Sequence, residues 1–86
     1  MSELKYYITY AHFKPEHQGE QKIVPAMEEW SKKVEEYGCK IKLWGISYGT
    51  TEPLVVVIKG KPENFIKLTP NEAPYNNTRT NMVAVF

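Results

Sequence analysis

The chain has 86 residues, with a hydrophobic fraction of 42%, an aromatic fraction of 13% and a formal net charge of +1. These values predict one packed domain over residues 1–86 and argue against disorder. Acids and bases are interleaved, which excludes the clustered basic footprint of a nucleic-acid binder.

All ten acidic residues are Glu, and Arg79 is the only arginine beside ten lysines. Cys39 is the only cysteine, so neither an intrachain disulfide nor a cysteine-based zinc site can form. Met1-Ser2-Glu3-Leu4-Lys5 lacks an apolar signal core, and no run approaches the roughly 20 residues of a membrane helix. A cytoplasmic protein without a membrane partner is the expectation.

Lys5 to Phe13 reads as a strand, because aromatic and β-branched residues occupy both parities. Lys14-Pro15 ends it. Ile23, Met27, Trp30, Val34 and Tyr37 then recur at steps of four and three, the apolar stripe of a helix. Glu28 with Lys32 and Glu29 with Lys33 form i,i+4 pairs worth about 0.2–0.5 kcal/mol each. Pro25 suits a first turn, which places the regular start near Val24, with a kinked helix from about Glu20 as the alternative. Gly38 is placed to stop the helix.

Cys39 to Ser47 is a second strand, and Gly45 within it predicts a bulge or a close backbone approach. The turn Tyr48 to Pro53 leads to Leu54-Val55-Val56-Val57-Ile58, a strand apolar at every position and therefore out of water on both faces. Pro62 to Leu68 is expected to be a short helix, Thr69 to Asn77 a loop, and Thr78 to Phe86 the last strand.

This βαββαβ order predicts an α+β, ferredoxin-like domain: a four-stranded antiparallel sheet with two helices on one face. The uncovered face would be too apolar for a monomer, so a homodimer pairing sheet face to sheet face is expected. The order, with Leu43-Trp44-Gly45-Ile46-Ser47-Tyr48-Gly49 and Glu52-Pro53-Leu54-Val55-Val56-Val57, resembles the dimeric α/β-barrel superfamily and its small uncharacterised members. That superfamily also includes antibiotic-biosynthesis-type monooxygenases, stress-responsive barrel proteins and muconolactone isomerases. The resemblance implies a small organic molecule held between sheet and helices.

His12, with Tyr10 on the same parity, is the candidate for acid–base chemistry, because imidazole titrates near neutrality. Trp44, Tyr48 and Arg79 are candidates for a ligand wall, with Arg79 suited to a carboxylate. A satisfied edge histidine, a core tryptophan and a surface arginine are the competing assignments. His12 and His17 have neither a helical nor a strand spacing, so no metal site is expected, and no cofactor is implied. The functional expectation is a binder of a small apolar or aromatic molecule. The alternatives are a cofactor-independent monooxygenase or isomerase using His12, and a regulatory ligand-binding domain of the ACT type.

Overall fold

The computed structural model describes residues 4–49, 51–69 and 71–84. Strand β1 spans Lys5–Phe13 and buries alternate residues, Tyr7, Thr9 and Ala11. The 3-10 turn Pro15–His17 follows the proline stop. Helix α1 spans Glu20–Glu36 and begins four residues before Val24. Gly19, at φ 99°, precedes it, and its carbonyl accepts from the backbone N–H groups of Lys22 (3.0 Å) and Ile23 (2.9 Å). Pro25 thus lies within the helix, where it cannot donate the usual bond to the preceding turn. The apolar stripe outweighs that loss, since Ile23, Met27, Trp30 and Val34 are all buried.

The helix ends as its sequence requires. Gly38, at φ 86°, lets the Gly38 and Cys39 N–H groups turn back to the carbonyls of Glu35 and Val34, both at 3.0 Å. The chain is thereby aimed into strand β2, Lys40–Ile46. Strand β3 is Leu54–Gly60, the four-residue turn α2 is Pro62–Phe65, and strand β4 is Tyr75–Val83. The four strands form one antiparallel sheet in the order β2-β3-β1-β4.

The two-helix, ferredoxin-like expectation is corrected here, and with it the dimeric α/β barrel built upon it. The sheet is backed by one helix of length, because α2 has only four residues and buries none of them. The segment is too short for cooperative helix formation, and Pro70 disfavours helical backbone at Thr69. Ile66, within the span of the expected helix, is 80% exposed.

Two further expectations change. The register shift in β2 falls between Ile41 and Leu43, so the extra residue is Lys42 and not Gly45. Strand β4 starts at Tyr75, three residues earlier than Thr78, inside the anticipated loop. The expected end of that strand, Val85 and Phe86, lies outside the described residues.

The core forms between α1 and one face of the sheet. Leu54, Val56 and Ile58 of β3 and Ala11 of β1 meet Ile23, Met27, Trp30 and Val34. Cys39 and Gly60 close one end: a Cβ added at Gly60 would lie 2.5 Å from Cys39 Sγ. Gly60→Ala is therefore expected to destabilise by about 1–3 kcal/mol through overpacking. Combining it with Cys39→Ala should recover part of that loss, as read from urea midpoints. Strictly additive costs would disprove the contact.

Candidate functional site

Two sheet faces carry different groups, and strand parity sorts them. Toward α1 point Tyr7, Thr9 and Ala11, with Val56 and Ile58 beside them on β3. On that side, between the sheet, α1 and the segment running from α2 to β4, lies a cavity of about 120 Å³. Trp30, Ile58, Phe65, Leu68, Ala73 and Tyr75 supply its apolar walls. Thr9, Thr69, Thr78 and Thr80 add hydroxyls.

The polar groups of this cavity are held in place. Thr9 lies opposite Thr80 in the β1–β4 register, and their Oγ1 atoms share a hydrogen bond of 3.0 Å. The Trp30 indole N–H donates to Tyr75 Oη at 3.0 Å, with the two rings edge to face at 6.2 Å. Burial pushes the Tyr75 phenol up to about 12, against a smaller opposing effect of the Trp30 hydrogen bond.

The segment before β4 is tied down by Glu72. Its carboxylate accepts from Thr69 Oγ1 (2.8 Å), Lys33 Nζ (3.1 Å) and Tyr37 Oη (3.1 Å). These hydrogen bonds, that of Thr69 first, hold the Glu72 carboxyl below the usual carboxylate range. On the other flank Lys14 donates through its backbone N–H to the Pro74 carbonyl (3.2 Å) and through Nζ to that of Asn71 (3.3 Å). A second cleft of about 270 Å³ includes Trp30, Glu29, Lys33, Glu72 and His17 in its lining. Its ionic walls suit neither an apolar guest nor a single charge sign.

The opposite face carries most of the residues singled out from the sequence. Tyr10 lies opposite Arg79 and His12 opposite Asn76 in the β1–β4 register. The Arg79 guanidinium sits 4.6 Å from the Tyr10 ring centre. It also makes a forked contact with Glu52, Nε to Oε2 at 3.2 Å and Nη2 to Oε1 at 3.3 Å. Arg79 first, with the residue's own backbone next and His12 as a lesser contributor, holds the Glu52 carboxyl low.

Tyr10, His12 and Arg79 are thus gathered at one end of the open face. The carboxylate that Arg79 grips belongs to the chain itself. Trp44 pairs with Val56 and packs against the core on the other side of the sheet. Tyr48 stands apart in the β2–β3 turn, 90% exposed. The five candidates do not form one site, and none of them lines the 120 Å³ cavity.

Sequence reasoning passed over the cavity's own residues. Trp30 was accounted for by the helix stripe, and Tyr75 and Ala73 fell in the anticipated loop. Thr9 held the one available signal, a hydroxyl among the apolar residues of its β1 parity. Cys39 is buried, and burial pushes its thiol up, which leaves little reactive thiolate. Among the described residues no group of three or more His, Cys, Asp or Glu is placed to hold a metal ion. Nor is any helix among them long and apolar enough to cross a membrane. Comparison with family models, curated proteins and solved structures finds no match.

Two titrations probe this region. Tyr75 keeps its proton to about 12 when folded and releases it near 10.0 when unfolded. Stability is therefore unaffected by this group below pH 10.0 and falls between 10.0 and 12. The loss is on the order of 2–3 kcal/mol. Tyr75→Phe should flatten that alkaline limb in thermal denaturation. It should also cost about 1–3 kcal/mol at neutral pH by leaving the Trp30 N–H unpaired.

Glu72 behaves in the opposite sense. Its lowered folded value makes its contribution present above the ordinary carboxylate range and lost as pH falls through the folded value. The protection factors of the Glu72 and Ala73 amides, corrected for the intrinsic pH dependence of exchange, should therefore fall on acidification. Glu72→Gln should show the reduced protection at every pH, and an unchanged acid-dependent fall in protection in that variant would refute the assignment.

Proposed function

We propose that this domain binds a compact apolar or aromatic molecule in the cavity between the sheet and α1. The observation that carries this reading is the composition of the cavity wall. An indole, two further aromatic rings and aliphatic groups surround a space edged by the Thr9–Thr80 hydroxyl pair. Small-molecule sites combine apolar walls with a few fixed polar groups in this way. At about 120 Å³ the space is close to the roughly 150 Å³ of an apolar cavity that takes up benzene. It is well below the range of roughly 300–1,000 Å³ typical of larger ligands. One ring with a short substituent is the size class.

The enzymatic alternative using His12 has less support. His12 lies on the strand parity opposite Thr9, so the sheet separates it from a guest in the cavity.

The reading is tested by titrating the protein with toluene and following amide and indole resonances. Saturable shifts at Thr9, Ala73, Thr80 and the Trp30 side chain are expected. Ala73→Phe, which fills the space, should abolish them while the fold is retained by circular dichroism. Absence of saturable shifts in the unsubstituted protein would overturn the proposal.

The open face supports a second copy of the chain as partner. Tyr6, Ile8 and Tyr10 of β1 share that face with Val55 and Val57 of β3 and Leu43 of β2. The cations bordering it already lie over aromatic rings, Lys59 over Tyr6 at 5.6 Å and Arg79 over Tyr10. Sedimentation at micromolar concentration is expected to give a dimer, and Val57→Lys a folded monomer. A monomer in the unsubstituted protein would rule the pairing out.

A further inference from the structure

The Tyr7 hydroxyl is the one buried side-chain polar atom without a hydrogen-bond partner among the described residues. Tyr7 is 5% exposed and projects from the core-facing parity of β1, two residues before Thr9. Native interiors seldom leave such a donor unmet without a reason.

Its neighbours connect it to the cavity. The Tyr7 ring lies face to face with that of Phe65, with centroids 3.8 Å apart and planes within 5°. Phe65 is itself a wall of the cavity. Ile58, another wall, is Tyr7's direct partner across β1 and β3. Tyr7 therefore stands directly behind the lining, with Phe65 as the partition.

That partition belongs to the least anchored element of the fold. The turn α2 has four residues and buries none, and Ile66 after it faces solvent. A single helical turn has no cooperative stability of its own. Turning Phe65 aside costs its stack on Tyr7 and its partial packing against the core, and no fully buried side chain of α2 has to move with it.

We propose that Phe65 is a swinging wall, and that the cavity extends past it to the Tyr7 hydroxyl, which donates a hydrogen bond to the bound molecule. This rests on the binding function proposed above and narrows its ligand to single-ring aromatic compounds bearing a carbonyl oxygen. A neutral carbonyl fits better than a carboxylate, because the Glu63 carboxylate bears on the same hydroxyl with negative charge, whereas the buried Cys39 thiol is uncharged. An anionic ligand would meet that field, whereas an aryl ketone or amide would not.

The test compares acetophenone with α-methylstyrene, in which a methylene replaces the oxygen at nearly constant shape. Chemical-shift titration of the full chain is expected to show acetophenone binding about fivefold tighter, the gain of one neutral hydrogen bond. In Tyr7→Phe the ratio should fall to about one, with α-methylstyrene affinity unchanged. In the unsubstituted protein the Tyr7 ring carbon bearing the hydroxyl should shift with acetophenone and not with α-methylstyrene, which tests the contact without any variant.

Phe65→Ala should leave the preference intact, since the donor remains. Equal affinities in the unsubstituted protein would overturn this inference and leave the binding function standing. So would a preference that survives Tyr7→Phe, which would point to the threonine hydroxyls. Failure of both compounds to bind would remove both proposals.

Discussion

One helix has to cover a sheet that is wider than the helix. Adjacent strands lie about 4.8 Å apart, so four of them span roughly 14 Å between outer axes before side chains are added. A helix with its side chains is about 10–12 Å across. Helix α1 spends its stripe on β3 and the near side of β1, where Leu54, Val56, Ile58 and Ala11 are buried. The strip over β1 and β4 is left to whatever the second crossover can supply. That crossover supplies one helical turn and a loop, and the imperfect cover it provides is where the cavity lies.

The loop holds its place by polar means because it has few apolar ones. Glu72 gathers three donors from its own loop and from α1, and Lys14 holds the Pro74 and Asn71 carbonyls from the other side. Trp30 then meets Tyr75 through a ring contact and a hydrogen bond, so the first residue of β4 is tied to the middle of the helix. A buried indole N–H and a buried phenol each need a partner, and here each is the other's. The same pair forms a cavity wall, so the packing that closes the domain also shapes the space a ligand would use.

Chemistry-bearing side chains are divided between the two faces by the pleat. Tyr10 and His12 belong to one parity of β1, and Tyr7 and Thr9 to the other. The open face uses its charges internally: Glu52 from the β2–β3 turn crosses to Arg79 on β4, over the Tyr10 ring. Such a cross-sheet clasp fixes the turn against the far edge strand. It also occupies the guanidinium that would otherwise suit an external carboxylate.

What the sequence determined by itself is what local periodicity and backbone chemistry control. The span of β1, the stripe of α1, the glycine stop at Gly38 and the Leu54–Ile58 strand were legible, since each depends on residues a few positions apart. Of that run, however, only Leu54, Val56 and Ile58 are buried, and Val55 and Val57 are half-buried on the open face. What only tertiary structure decided depends on register between distant segments. A one-residue shift in pairing exchanges every side chain between faces. The irregularity at Lys42 thereby sent Trp44 to the core, and an early start brought Tyr75 beneath Trp30. The two-helix layer failed for a related reason: seven residues between Pro62 and Leu68 can be written as a helix, but nothing packs against them strongly enough to make one. The cavity, the Thr9–Thr80 pair and the unmet Tyr7 hydroxyl follow from that shortfall, because they exist only where long-range pairing leaves the sheet incompletely covered.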